Sequence, residues 1–356
     1  MASLTFQRGI HPPDRKAQTA GCAIRRIFPE PGGEDVNRDY RALSKTQILA
    51  IIEEAGIVGL GGAGFPTFIK LNPPADKIID TIIINAVECE PYLTADYRLL
   101  LEETDALIRG IEIIGRLHPK AKIFIGIENN KPEAIERLTR KTASLPGITV
   151  APLVPKYPQG AEKQLIYAVT GREVPSGKLP YDIGCIVQNV ETVIAVERAV
   201  VHGKPLTHKV VTVAGGACKN PGNYEVCIGM KLSELVEKIG GFREEPYKII
   251  AGGPMMGTAL YTLNVPIAKT SGAFLFLTRE EAELPEETNC IRCGRCVEHC
   301  PMGLMPLELN SDAVAGDFEA FARNNGHVCI ECGACSYVCP AGRYLTQSLS
   351  MGRKHG

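Results

Sequence analysis

In its last quarter the chain contains the spacing C-x-x-C-x-x-C-x-x-x-C-P twice: Cys290, Cys293, Cys296 and Cys300-Pro301, then Cys329, Cys332, Cys335 and Cys339-Pro340. Three thiolates on one tight turn can grip three corners of an iron–sulfur cube. The fourth cysteine is carried away by the proline that follows it, and in such runs it ligates the other cube. The spacing therefore predicts two [4Fe–4S] clusters, one on Cys290, Cys293, Cys296 and Cys339, the other on Cys329, Cys332, Cys335 and Cys300. Zinc knots also use C-x-x-C, but zinc takes four ligands at two paired spacings and has no use for a triple followed by Cys-Pro. Between the runs, helix Leu307 to Ala315 and the segment Asp317 to Asn324 supply the spacer of an α-helical two-cluster module.

The remaining composition sets outer bounds. At 356 residues the chain has room for two or three domains. Its 45% apolar and 22% charged residues are ordinary for a globular protein, and a formal net charge of −1 gives no footprint for nucleic acid or an anionic membrane surface. Eight of the thirteen cysteines lie in the two runs. The other five, Cys22, Cys89, Cys185, Cys218 and Cys227, have no pairing logic, and free thiols beside clusters point to a reducing cytosol. The opening MASLTFQRGIHPPDRK lacks the apolar core of a signal peptide. No stretch approaches the ~18 uninterrupted apolar residues of a membrane span, so membrane association is expected only through partners.

Residues 1–40 are rich in Pro, Gly and charge and read as an N-terminal arm. Ser44 caps a helix, Lys45 to Ala55. Strand Thr81 to Asn85, helix Leu99 to Leu117, strand Lys122 to Ile127, helix Lys131 to Arg140 and strand Thr149 to Leu153 follow. This alternation predicts an α/β domain over 41–204, a Rossmann-like open parallel sheet with helices on both faces. From Lys209 the texture changes to short strands and turns around helix Leu232 to Ile239, a small β-grasp domain over 205–265. Residues 266–285 read as a linker, and 286–356 as the two-cluster domain.

Four segments of the α/β part carry candidate ligand groups. Gly59 to Pro66 packs four glycines into eight residues, which lets backbone N–H groups approach a phosphate or flat ring; it also suits a tight turn. Asn85-Ala-Val-Glu88-Cys89-Glu90-Pro91 ends a strand, where ligands bind in doubly wound sheets, or where a loop is simply capped. Gln188-Asn189-Val190-Glu191-Thr192 ends another, suited to a ring edge, a phosphate or a helix cap. Tyr157-Pro-Gln-Gly160-Ala-Glu162 adds a ring and a carboxylate. No catalytic nucleophile arrangement stands out. His202, His208, His299 and His327 read as surface histidines.

Taken together, GIVGLGGAGFPTFIKL, INAVECEPYLTADYR, YPQGAEKQLIYAVTGREVPSG, VQNVET, KNPGN, GGPMMG and the two cysteine runs resemble the C subunit family of the Rnf complex. That complex is the membrane-bound, ion-translocating ferredoxin:NAD⁺ oxidoreductase. The first half is more distantly similar to the flavin-bearing, NADH-oxidising 51 kDa subunit of respiratory complex I. The resemblance implies noncovalent FMN held by Gly59, Gly61, Lys70, Asn85, Glu88, Cys89, Tyr157, Gly160, Gln188, Asn189 and Thr192. NADH would contact Gly62, Phe65, Glu90 and Glu162, with Glu90 and Glu162 positioning the nicotinamide or ribose. The 51 kDa relative has Asp at Val87, Asn at Gln188 and Glu at Ala161.

Family members open with G-I-H-P-P, as here, then insert a barrel-sandwich domain, for which this chain leaves no room between Phe28 and Tyr40. The β-grasp part would be SLBB-like. A nicotinamide exchanges a hydride and a cube passes one electron at a time; a flavin can do either. The implied role is thus an NADH-dehydrogenase-type subunit, peripheral on the cytoplasmic face of the inner membrane. It would exchange electrons with the iron–sulfur B subunit and membrane subunits. Competing readings are a soluble flavin and iron–sulfur reductase, such as a cobalamin reductase, and a non-catalytic relay adaptor.

Overall fold

A computed structural model describes residues 22–28 and 36–355. It forms two compact units: the larger runs to Gly253 and then from Thr258 to Glu281, and the smaller comprises Pro254–Gly257 and the residues from Ala282 onward.

In the larger unit a short strand, β1 (Ile24–Arg26), precedes helix α1 (Lys45–Glu54). A capping box starts α1: the Ser44 hydroxyl accepts the Gln47 N–H (3.3 Å), and the Gln47 side chain accepts the Ser44 N–H (2.9 Å). Then come β2 (Thr81–Ala86), α2 (Ala95–Glu102), α3 (Thr104–Leu117), β3 (Lys122–Glu128), α4 (Pro132–Thr142), β4 (Ile148–Leu153), α5 (Glu162–Thr170), β5 (Cys185–Asn189) and α6 (Val190–His202). The strands pair in parallel in the order β4-β3-β2-β5, with Ile84 opposite Ile125 and Gln188. The expected open parallel sheet is therefore present. The single helix expected over Leu99 to Leu117 is two: the chain breaks at Glu103, where the Thr104 hydroxyl turns back to the Leu100 carbonyl at 2.6 Å. Helices α3 and α6 pack so closely that a Cβ on Gly110 would lie 2.4 Å from the Val193 carbonyl oxygen.

The same unit continues with β6 (His208–Ala214), β7 (Gly222–Cys227), α7 (Leu232–Lys238), β8 (Lys248–Ala251), β9 (Thr258–Leu260) and β10 (Ala273–Leu277). With β1 they form a mixed six-stranded sheet in the order β1-β7-β6-β10-β8-β9. This sheet corrects two expectations. The described part of the expected arm contributes β1, which runs parallel to β7 with Ile24 opposite Asn223; the rest of the arm, 1–21 and 29–35, lies outside the described residues. The expected linker contributes β10, buried at all five positions between β6 and β8. AFLFL is an apolar run without alternation, the pattern of a central strand covered on both faces. The apolar core here gathers Val211, Val213, Tyr224, Val226, Leu232, Leu235, Phe274 and Phe276.

In the smaller unit the 39-residue sequence repeat becomes a backbone repeat. Arg292 and Glu331 have φ of 54° and 53°, Gly294 and Gly333 78° and 79°, Gly303 and Gly342 64° and 63°. Single helical turns Arg295–Glu298 and Ala334–Tyr337 follow the two cysteine loops. Helices α8 (Pro306–Ala315) and α10 (Leu345–His355) also correspond, with α9 (Phe318–Arg323) between them. The core is small: Leu304, Leu309, Ala313, Phe321 and Leu349. The Phe321 ring lies so near Gly326 and Gly352 that a Cβ on either would approach it to 2.2 and 2.5 Å. No helix among the described residues is long and apolar enough to cross a membrane.

Candidate functional site

The glycine loop starts from an isolated bridge between Val58 and Pro66. Gly59 N–H donates to the Phe65 carbonyl (2.8 Å) and Gly64 N–H to that of Gly59 (3.1 Å). Gly62 and Gly64 have φ of +112° and +66°, a turn that side-chain-bearing residues resist. Leu60 N–H ties the loop to α6 through the buried Thr192 hydroxyl at 2.9 Å. A Cβ on Gly61 would meet that of Asn189 at 3.3 Å. Phe65 stays 48% exposed, and Gly62 is exposed as well.

Asn189 ends β5 and caps α6: its Oδ1 accepts from Glu191 N–H (2.9 Å) and Thr192 N–H (3.3 Å). Its Nδ2 donates to Asp96 Oδ2 at 2.7 Å. Burial first, then the carboxylates of Glu88 and Glu191, push the Asp96 carboxyl up to about 8, against the pull of Asn189 and Lys209. Asp96 escaped the sequence reading because only tertiary packing supplies its neighbours. Glu88 accepts the N–H groups of Asp96 (2.9 Å) and Tyr97 (3.3 Å), so its carboxylate serves the start of α2. Glu191 accepts Val210 N–H and lies 3.6 Å from the buried Lys209 ammonium.

Opposite Asn189 in the ladder, Asn85 donates to the Gly160 carbonyl (2.9 Å) and accepts Val87 N–H (3.1 Å). Gly160 N–H donates to Cys89 Sγ at 3.3 Å, and a Cβ on Gly160 would lie 2.8 Å from the Val87 carbonyl oxygen. Tyr157, buried, precedes Gly160 on a turn with a cis Tyr157-Pro158 bond. Lys70 and Glu162 form an ion pair at 2.5 Å. The Glu90 carboxylate, next in sequence to Cys89, fills the space where Gly253 would carry a Cβ. Val87 is buried among Ile83, Leu165 and Ile166.

Hydrogen bonds and one ion pair thus connect the glycine loop with the carboxyl ends of β2 and β5, the place where doubly wound sheets bind ligands. Two buried polar atoms here have no partner: Gln188 Nε2 at the end of β5 and Thr67 Oγ1 after the glycine loop. Buried donors are normally paired. A flat, polar-edged group held close to backbone fits an orphaned amide donor and glycines with little or no room for a side chain. A cavity of about 460 Å³ lies between α3, α6 and the β6–β7 hairpin, with Leu60 of the glycine loop and Glu191 in its lining. Its walls carry paired charges, among them Arg109 with Glu197 and Arg198 with Glu225. Three expected surface histidines are engaged: His202 with Glu197 (3.4 Å), His208 with Cys227 Sγ (3.2 Å) and His299 with the Arg295 carbonyl (2.9 Å).

In the smaller unit the two cysteine loops repeat one hydrogen bond, Arg292 N–H to Cys290 Sγ and Glu331 N–H to Cys329 Sγ, both 3.4 Å. Burial pushes the Cys332 thiol up to about 11, reinforced by its neighbours Cys335, Cys300 and Cys329. Cys329 and Cys335 are raised by the same causes, and Cys300 acts on both. The structure thus brings Cys300 to the second run. Backbone also links the start of the first run to the end of the second, Thr288 N–H donating to the Ala341 carbonyl at 2.9 Å. Crowded, desolvated thiols cannot ionise together without a compensating cation, and iron supplies one. The donor set fits a cluster.

Three family models match consecutive stretches: the Nuo51 FMN-binding domain over residues 52–198, the SLBB domain over 210–259 and the 4Fe-4S dicluster domain over 289–344. The C subunit of the proton-translocating ferredoxin:NAD(+) oxidoreductase complex of Clostridium ljungdahlii is 51% identical over 278 residues, 78% of this chain and 61% of that protein. The C subunit of the Na(+)-translocating ferredoxin:NAD(+) oxidoreductase complex of Acetobacterium woodii is 42% identical over 325 residues, 91% and 72% respectively. The C subunit of the ion-translocating oxidoreductase complex of Rhodobacter capsulatus is 44% identical over 311 residues, 85% and 60%. The chain therefore spans about three fifths of the first and third relatives. An NAD⁺-reducing [NiFe]-hydrogenase chain shares the fold at a TM-score of 0.63 and 21% identity, over 94% of this chain and 67% of its own. The dicluster match sets the zinc alternative aside, and the Nuo51 match makes the flavin FMN. The chain belongs to the family of Rnf complex C subunits.

Proposed function

We propose that this chain passes electrons between NAD(H) and the other subunits of a membrane-bound, ion-translocating ferredoxin:NAD⁺ oxidoreductase, working at the cytoplasmic face with the iron–sulfur B subunit and the membrane subunits. The observation that carries this reading is the unpartnered, buried Gln188 Nε2 at the carboxyl end of β5, in a chain that also holds eight cluster-spaced cysteines. Bound FMN would supply the interchange between a two-electron hydride and single electrons.

The residues have distinct tasks in this reading. Gln188 donates to the ring edge, and Asn85, Asn189 and Thr192 hold the strand ends and the glycine loop in register. Gly59, Gly61 and Gly160 let backbone lie against the flavin, and Lys70 offers positive charge to a phosphate. Cys89 and Tyr157 wall the site, and Glu88 fixes the α2 end beside it. Gly62, Phe65 and Glu162 line the approach for NADH, and Glu162 is the carboxylate of choice for positioning the nicotinamide or ribose. Glu90, packed against Gly253, is the other carboxylate assigned to NADH in this reading. The clusters would sit on Cys290, Cys293, Cys296 with Cys339, and on Cys329, Cys332, Cys335 with Cys300. No side-chain acid or base is needed for hydride exchange; the protein's work is to orient and to exclude water.

The test is anaerobic addition of NADH to purified protein. Flavin absorbance is expected to bleach, followed by cluster absorbance. Gly61→Leu is expected to lose flavin while keeping the clusters, because the new side chain collides with Asn189. Flavin retained in that variant, or no bleaching in the parent, overturns the reading.

A further inference from the structure

The smaller unit contains its own control experiment, because two loops of matching backbone differ in side chains and surroundings. The first reads Cys290-Ile-Arg292-Cys-Gly-Arg295-Cys296 and the second Cys329-Ile-Glu331-Cys-Gly-Ala334-Cys335. In the first, Cys290 and Cys293 are exposed; in the second, Cys332 and Cys335 are buried. Ile291 is 67% exposed, whereas its counterpart Ile330 is half-buried. The charges differ as well. Arg292 and Arg295 are exposed and form no ion pair among the described residues. Glu331, which stands where the first loop has Arg292, is neutralised by Arg353 of α10. Glu298 is the one acid between Glu287 and Glu308 in the sequence, and Glu287 itself pairs with Arg343 at 3.3 Å.

An exposed isoleucine flanked by two unpaired arginines, on a loop whose cysteines reach solvent, is an apolar centre with a cationic rim. That suits a partner with the opposite rim. We propose that the Cys290–Cys296 loop is the docking surface through which the smaller unit exchanges electrons with a carrier protein that presents carboxylates around its own one-electron centre. The proposal rests on the reading of the cysteines as cluster ligands. In the step itself one electron leaves the reduced cluster and reduces the carrier by one; no bond forms or breaks and no proton is required. A formal net charge of −1 for the whole chain leaves local charge to set the preference.

The repeat also supplies the variant. Arg292→Glu with Arg295→Ala gives the first loop the residues of the second, and Glu331 already occupies the same left-handed backbone at φ 53°. Retained cluster absorbance checks that the loop is intact. Two carriers serve as probes, an acidic flavodoxin and a basic cytochrome c. Binding of the oxidised proteins is measured by calorimetry, and one-electron transfer by stopped flow from chain pre-reduced with dithionite and freed of excess reductant. The parent should prefer flavodoxin, more weakly as salt rises. The double variant should lose on the order of tenfold in both affinity and transfer rate at low ionic strength, and should favour cytochrome c. An unchanged preference and salt dependence in the variant overturns the proposal. NADH takes no part, so failure here is distinct from failure of the NADH reading.

Discussion

The larger unit builds its site on a core that stands by itself, whereas the smaller unit has almost no core to build on. Around the parallel sheet, Ile82, Ile84, Ile125, Ile127 and Ile186 are buried with the apolar faces of α3 and α6. The proposed flavin site therefore rests on an extensive apolar framework. The smaller unit has five buried apolar residues in its cluster of contacts and eight cysteines. A segment of that size is normally stapled by disulfides or metal. The contrast predicts that a flavin enters a preformed cradle whereas the clusters are part of the fold.

The largest effect should come from removing the clusters. Oxidative loss of iron under chelation, or Cys332→Ser, is expected to unfold the smaller unit and leave the larger one folded. Hydrogen exchange reads this directly: amides of α8 and α10 should exchange at once while those of β2 and β3 stay protected. Continued protection of α8 and α10 would mean that the Phe321 core suffices alone and would break the contrast.

Gly110→Ala probes the other side. On an exposed helix, Gly→Ala gains about 1 kcal/mol. Here the new Cβ faces the Val193 carbonyl oxygen at 2.4 Å, and overpacking should reverse the sign, costing about 1–3 kcal/mol. Urea unfolding followed by circular dichroism checks this, with cluster absorbance expected to be unaffected at low urea. A stabilised variant would show that α3 and α6 can part without loss.

The smallest effect concerns Asp96. Its folded-state carboxyl titrates near 8, above the ordinary carboxylate range, so between about pH 4 and pH 8 the folded chain holds a proton that the unfolded chain has lost. Its contribution to stability is present below about pH 4 and is lost as pH rises through 8. Asp96→Asn keeps an acceptor for Asn189 and should flatten the decline of stability over that window. Parallel pH profiles for parent and variant would remove Asp96 as the source.

Local pattern made some of this legible. The cap at Ser44 and the strand from Thr81 are readable because local pattern carries them, although the strand runs one residue past Asn85. The termination of the long helix at Glu103 was not, since it depends on how α2 and α3 each meet the sheet. Strand β10 is not legible from AFLFL alone, because its pairing with β6 and β8 involves partners tens of residues away. The motif shows Glu88 but not that its carboxylate accepts N–H groups at the start of α2, because those partners lie eight and nine residues further on.

By itself, the sequence determined the cluster chemistry and the glycine loop. Three thiolates on a tight turn, and backbone that must pass without side chains, are constraints carried by residues a few positions apart. Only the tertiary structure decided that the two cysteine loops, alike in backbone, differ in exposure and charge. It alone decided, too, that Asp96 meets Glu88, Glu191, Asn189 and Lys209 in one desolvated place. Burial and electrostatic environment are properties of what packs around a group, and that packing comes from distant parts of the chain.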